Sequence, residues 1–292
     1  MQTPAASVPS VLSVHPGARP LAATLISARR ITPADSPEDV RHLVFATDDA
    51  AFDTRIGQCV RVRAPGRFGQ RHHERLYSIA DLDRSDPQRT EFALLVRRCS
   101  SIDDFNGERV PGVASNYLCD LGLGQRIELT GPVGHPFEIP EDRGAGLLMI
   151  GMGTGIAPFR GLVRRIYDTL GGWQGPVRLF YGARSGLEML YMNDQNDDLA
   201  HYYDQDTFKA FQAVSPRPHF GAPPALEQAI AEHADEVWQM LNEPRTHVFI
   251  AGPQAMLAHV QHSLEPLAGS AESWATLRGQ LANAGRWHEV LY

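Results

Sequence analysis

Two hydrophobic rhythms follow one another along the chain. From residue 21 to about 132, short apolar or alternating runs recur at 21–31, 40–46, 59–64, 75–80, 92–99 and 126–130. Turn-forming clusters separate them, among them Asp48-Asp49, Pro65-Gly66, Ser85-Asp86-Pro87 and Pro111-Gly112. Short strands at regular spacing, with no long helical pattern, predict an antiparallel barrel or sandwich. From Gly146 onward the rhythm changes. Apolar runs at 147–152, 177–181, 211–214 and 248–251 alternate with amphipathic stretches, and one helix is expected over 224–241, with Leu226, Ile230, Val237, Trp238 and Leu241 on one side. Alternating β and α elements predict a doubly wound parallel sheet that takes its ligand at the carboxyl ends of the strands. The glycine- and proline-containing stretch 132–144 is the natural junction. The expected organisation is therefore a flexible arm over 1–20, a β-barrel domain over 21–142 and an α/β domain over 143–292.

The second domain opens on a glycine turn. The run 146–152 enters it as a buried strand, and Ile156, Phe159, Leu162, Val163, Ile166 and Leu170 leave it at helical spacing. Between them lie Gly151, Gly153, Thr154 and Gly155. Two readings fit. One is a phosphate site, since the first helical turn presents N–H groups and the positive end of the helix dipole. The other is a strand-to-helix turn whose glycines serve close packing. The spacing departs from G-x-G-x-x-G, because Ile156 and Pro158 stand where a third glycine would fall from either start.

Composition narrows the class. With 292 residues, 43% hydrophobic and 21% charged, the chain fits a globular protein of about two domains. A net charge of -7 does not suggest non-specific binding to nucleic acid, and no uncharged apolar run reaches membrane-spanning length. Cys59, Cys99 and Cys119 are well separated and form no C-x-x-C pair, which argues against a disulfide framework and against a zinc or iron–sulfur site. No metal site and a cytoplasmic location are the expectations.

The chemistry concentrates in two further stretches. In Arg75-Leu-Tyr-Ser78, strand geometry puts Arg75 and Tyr77 on one face and Ser78 on the other. An arginine, an aromatic ring and a hydroxyl suit a diphosphate, a flat ring and the edge of that ring. A strand with a surface arginine and a half-buried tyrosine fits the same residues. In Gly112-Val-Ala-Ser115 a Pro-Gly turn enters a short helix, again a place for phosphate.

Taken in order, six stretches resemble the plant-type ferredoxin-NADP reductases. They are Arg75 to Ala80, Gly112 to Leu121, Leu129 to Gly134, Gly153 to Arg160, Ala251 to Pro253 and the terminal Trp287 to Tyr292. The resemblance implies an FAD-binding barrel followed by an NADP-binding domain. By position it implies that Arg75, Tyr77 and Ser78 hold the FAD diphosphate, cover one flavin face and approach the reactive edge. Val96 and Arg97 would lie along FAD, and Gly112, Val113, Ala114 and Ser115 would line its diphosphate. Gly153, Thr154 and Gly155 would meet the NADP diphosphate. Tyr292 matches a terminal tyrosine that stacks on the other flavin face and yields to nicotinamide, so Ser78 and Tyr292 carry the catalytic expectation. Arg184, with Ser215 and Arg217, is implied to favour the 2'-phosphate of NADP over NAD. Phe220 fits either a stack on adenine or a cover for the core.

Two departures qualify the resemblance. Ala251 stands where the family commonly has cysteine, and Glu289 lies three residues before Tyr292 where many members carry glutamate two before it. In a strand, a shift by one residue reverses the face, so Glu289 is expected to point away from the flavin.

The implied activity exchanges hydride with NADP(H) and single electrons with a separate ferredoxin or flavodoxin. Arg61, Arg63, Arg67, Arg71 and Arg75, with His72 and His73, form a basic stretch in an acidic protein, with Arg164 and Arg165 as its expected extension. It fits a docking surface for an acidic partner as well as a solvated loop beside FAD. An oxygenase reductase or general flavin reductase, and an FAD relay subunit that no longer uses pyridine nucleotide, are the alternative functions. Oligomeric state is left open.

Overall fold

The computed structural model describes residues 19–67, 69–183, 189–192, 199–214 and 225–292. All but the last two residues of the expected N-terminal arm lie outside the described residues.

The first rhythm folds as β1 (Leu21–Arg30), β2 (Val40–Thr47), β3 (Cys59–Pro65), β4 (His72–Asp83) and β5 (Thr90–Arg97). A short hairpin, β6 (Ser100–Ile102) and β7 (Arg109–Pro111), leads to α1 (Val113–Cys119) and then β8 (Arg126–Val133). Six of these strands close into an antiparallel barrel in the order β1-β2-β5-β4-β3-β8, so the barrel has no open edge. Alternation fills it: Leu21, Ala23 and Leu25 of β1 and Val60, Val62 and Ala64 of β3 are buried, while their neighbours are more exposed. The pairing of β4 with β5 shifts between Ile79 and Asp81, a bulge that re-aims the side chains after it.

The second rhythm gives β9 (Leu147–Met152), a 3-10 turn at Gly153–Gly155, α2 (Ile156–Arg164), β10 (Val177–Ala183) and β11 (Phe208–Val214). It continues through α3 (Ala225–Glu232), α4 (Ala234–Asn242), β12 (His247–Gly252), α5 (Gln254–Leu264), α6 (Ala271–Asn283) and β13 (Trp287–Leu291). All the pairings are parallel, in the order β11-β10-β9-β12-β13. The chain steps one way from β9 and then returns to its other side with β12, so the switch point lies between these two strands. The glycine turn sits at that point.

The helix expected over 224–241 is in fact two. His233 breaks it with φ -117°, its ring 4.1 Å from that of Phe211. A new helix then starts with Asp235 and Glu236 in its first turn, where carboxylates favour the positive helix end. Leu226, Ile230, Val237 and Leu241 are buried as expected.

Two apolar clusters hold the described residues together. One covers the α3–α6 face of the parallel sheet, around Leu148, Ile150, Phe180, Val248 and Ile250. The other is continuous from the barrel interior through Ile79 and Ala80 to Phe159 and Leu162 of α2, and on to Leu147, Met149, Leu179 and Phe249 on the opposite sheet face. Barrel and sheet thus share a core. Among the described residues no helix is long and apolar enough to cross a membrane.

Candidate functional site

The glycine turn is supported from two sides. Tyr181 of β10, fully buried, donates its hydroxyl to the Gly153 carbonyl at 2.9 Å. From the other side the Tyr292 hydroxyl lies 2.5 Å from Thr154 Oγ1. The glycines divide the work. Gly153 has φ +58°, a conformation that favours glycine. A Cβ at Gly155 would lie 2.0 Å from the Ala251 carbonyl oxygen, so this residue lets the turn press against β12. The packing reading therefore accounts for Gly155, while the turn itself has no side-chain cap and no acidic residue. Its chemistry suits an anion.

Tyr292 is held by its backbone. Its N–H donates to the Gly252 carbonyl at 3.1 Å, and its own carbonyl accepts from Gln254 N–H at 2.9 Å. The residue as a whole remains 53% exposed, and burial of its hydroxyl end pushes the phenol pKa above its ordinary value. Arg97, at the end of β5, comes from the barrel to the same place: a Cβ on Gly153 would lie 3.9 Å from the Tyr292 hydroxyl and 4.0 Å from an Arg97 guanidinium nitrogen. Barrel, glycine turn and terminal tyrosine meet here.

On the barrel side, register pairs Tyr77 with Val60 and Ser78 with Cys59. Tyr77 is half-buried, and burial raises its pKa. Ser78 Oγ lies 3.6 Å from Cys59 Sγ, whose thiol burial holds in the protonated form. Arg75 is exposed and donates to the Glu74 carbonyl at 2.9 Å. Val96 is buried, so only its backbone can line a ligand.

At α1 the N-cap Gly112 carries no side-chain cap and the first turn no acidic residue. Ser115 Oγ accepts from Cys99 N–H at 3.1 Å, and Ala114 is fully buried, which leaves the backbone N–H groups of this turn as its binding atoms. Beside it opens a cleft of about 550 Å³ lined by Gly66, Arg67, Val113, Asn116, Tyr117 and Arg126. An uncapped helix start, an adjacent arginine and an aromatic-edged cleft fit the diphosphate and adenosine of a dinucleotide.

The basic stretch is thinner than its sequence. Arg61 and Arg63 both pair with Glu74, and Arg63 also reaches Glu128 at 2.6 Å. Arg67, Arg71 and Arg75 remain as its solvent-facing charge. Arg164 does not extend the stretch, because it is drawn inward onto Asp81 and Asp168. Glu289 pairs with Ile250 in register and accepts from Arg278 at 2.9 Å and from Trp287 Nε1 at 2.5 Å. It faces the helices of the second core, turned away from the Tyr292–Thr154 contact. Arg184, Ser215, Arg217 and Phe220 lie outside the described residues.

Sequence reading passed over Asp81, Arg160, His42 and Tyr191, which meet behind the glycine turn. The one signal was a charge in apolar company: Arg160 sits between Phe159 and Leu162 on a buried helix, and its side chain is 3% exposed. A charge so buried calls for an anion.

Comparisons with known proteins agree with this construction. Residues 29–137 match the oxidoreductase FAD-binding domain and residues 149–262 the oxidoreductase NAD-binding domain, so fold and site define a flavin- and pyridine-nucleotide-binding oxidoreductase. The chain is 31% identical over 289 residues to the cyanelle ferredoxin-NADP reductase of Cyanophora paradoxa, covering 96% of this chain and 79% of that one. It is 32% identical over 273 residues to leaf isozyme 1 of Oryza sativa subsp. indica, covering 90% and 74%. The chain belongs to the ferredoxin-NADP reductase family. The solved Plasmodium falciparum ferredoxin-NADP+ reductase shares the fold, with a TM-score of 0.70 at 19% identity over 94% of this chain and 96% of that one.

Proposed function

We propose that the protein is an FAD-dependent ferredoxin-NADP reductase that exchanges hydride with NADP(H) and single electrons with a separate ferredoxin or flavodoxin. The observation that carries the reading is the meeting of Tyr292, Thr154 and Arg97 at the switch point of the parallel sheet. FAD, when bound, takes two electrons from nicotinamide and releases them one at a time.

The residues of this chain supply the rest. Arg75, the N–H groups of Gly112 to Ser115 and the backbone of Val96 and Arg97 hold FAD. Tyr77 covers one face of the flavin, and Ser78 offers its hydroxyl at the edge. A buried, protonated Cys59 beside Ser78 leaves that hydroxyl free to donate. Gly153, Thr154 and Gly155 receive the NADP diphosphate, and Arg184, Ser215 and Arg217 select the 2'-phosphate. Tyr292 keeps water from the second flavin face until nicotinamide displaces it. Its half-exposed side chain, held to the glycine turn only through its hydroxyl, suits a group that moves. The boundary at 142/143 gives each domain one cofactor.

For the partner, Arg67, Arg71 and Arg75 offer positive charge to an acidic protein. The free thiols Cys59, Cys99 and Cys119 suit a reducing, cytoplasmic compartment.

Stopped-flow mixing of the FAD-loaded protein with NADPH and with NADH tests the reading. NADPH is expected to bleach the flavin at least about 10-fold faster than NADH, as loss of one charged contact is worth that much. A chain that takes up no flavin, or a bound flavin that neither nucleotide reduces, defeats the proposal.

A further inference from the structure

Behind the glycine turn the two domains are clamped by polar groups that none of the roles above uses. Asp81 Oδ2 accepts from Arg160 at 3.0 Å and also from Arg164, both on α2. The Arg160 guanidinium lies 4.7 Å over the ring of Tyr191, and the Tyr191 hydroxyl is 2.7 Å from His42 Nδ1 on β2. Tyr191 is 1% exposed and holds φ +59°, a conformation a bulky residue keeps only when its surroundings impose it. The barrel therefore grips the nucleotide domain at two points, through Asp81 and through His42.

The placement of this clamp gives it a task. Asp81 follows Ser78 by three residues on β4, and Arg160 follows Gly155 by five on α2. One strand thus leads from the flavin contacts to the clamp, and one helix leads from the clamp to the nucleotide turn. The bulge at Ile79–Asp81 aims the carboxylate at the helix. Beside it α2 comes close enough that a Cβ on Gly161 would lie 2.8 Å from the Ala80 carbonyl oxygen.

We infer that Asp81 is a positioning residue: by holding Arg160 and Arg164 it fixes the glycine turn relative to Tyr77 and Ser78, and so sets the distance over which hydride passes. The inference rests on the reductase reading. Hydride transfer falls steeply with small displacement of donor from acceptor, about 100-fold for 1 Å, whereas nucleotide affinity draws on contacts spread along the whole molecule.

Asp81→Asn, Asp81→Glu and Arg164→Gln in the FAD-loaded full chain test it. Single-turnover reduction by NADPH gives the limiting rate and the apparent Kd separately. For Asp81→Asn the limiting rate should fall about 10-fold or more while Kd stays within about 2-fold, and Asp81→Glu should restore part of the rate. Hydrogen exchange, which needs no turnover, should quicken at residues 152–158 and leave the barrel strands unchanged. If Asp81→Asn does not fold, Arg164→Gln carries the test, with a smaller fall of the same kind. An unchanged limiting rate in Arg164→Gln and Asp81→Asn, or a rate and affinity that fall together, overturns the inference. A wild-type flavin that NADPH leaves oxidised would instead overturn the reductase reading.

Discussion

The contact between barrel and nucleotide domain has two unlike ends. At the front, Tyr292 is 53% exposed and touches the glycine turn through one hydroxyl, and the space around Gly153 is open to 3.9 Å. At the back, α2 lies against β4, Arg160 is 3% exposed on Asp81, and Phe137 stacks on Phe159 while its ring edge meets Phe249. The same two domains are loosely met at the proposed nicotinamide site and tightly packed behind it. A site that must admit and release a nicotinamide is drawn from the low-stability end of a fold, and a rigid back lets the front open without changing the relation of the halves.

Alanine at one glycine of each end is the sharpest way to break this comparison. A methyl on Gly161 would meet the Ala80 carbonyl oxygen and Ile56 Cδ1 at 2.8 Å each, so overpacking should cost about 2–3 kcal/mol. A methyl on Gly153 has room and pays only for φ +58°, about 1 kcal/mol. Denaturant unfolding of the two FAD-loaded variants measures both. Equal losses would mean that the ends do not differ.

Acid should find the back first. His247 and His288 stack at 5.7 Å on β12 and β13, and His288 lies 4.7 Å from Phe249, in the aromatic group that includes Phe137. Burial lowers the pKa of His247 to about 4, with His288 adding to the effect, and burial lowers that of His288 as well. Both rings bind protons more weakly folded than unfolded. The unfolded chain therefore takes up more protons below about pH 6.5, and stability is whole above that value and falls as pH drops toward 4. Because part of the His247 ring meets solvent, which screens the charge, the loss is about 1–2 kcal/mol. Thermal melts at pH 7 and pH 5 should show it, and His247→Phe should flatten the difference. An undiminished acid loss in that variant would place the sensitive groups elsewhere.

How far the sequence disclosed these ends differs as well. Short apolar or alternating runs marked all six barrel strands, because each buries apolar side chains: alternate ones such as Val60 and Val62 in β3, a continuous run from Phe92 to Val96 in β5. β4 runs longer than its apolar part, since His72, His73 and Glu74 join through backbone pairing with β3, for which composition carries no signal. The break at His233 was hidden because Leu226, Ile230, Val237 and Leu241 keep helical spacing across it. At the front, a local motif carried the glycine turn and a one-residue shift foretold the turned-away Glu289. The back was illegible: Asp81 and Arg160 lie 79 positions apart, and His42 and Tyr191 lie 149 apart. Contacts between distant positions leave no spacing to read in a single chain.

The smallest expected effect sharpens the comparison most. Tyr292→Phe keeps the ring and the backbone bonds to Gly252 and Gln254 but removes the hydroxyl that meets Thr154 Oγ1. A half-exposed hydrogen bond is worth about 0.5–1 kcal/mol, and water takes its place, so melting temperature should scarcely move. In the proposed role of Tyr292, where the ring would leave before nicotinamide enters, the same small term sits on the free-enzyme side of nucleotide binding. Its loss should therefore tighten NADP+ binding by about 2- to 5-fold, read by titration of flavin absorbance, with the barrel-to-helix clamp untouched. Thr154→Val removes the other hydroxyl and should give a similar gain if the bond is what holds the ring in place. A weaker affinity in Tyr292→Phe would mean that the hydroxyl serves the bound nucleotide, and the front would then be a built contact like the back.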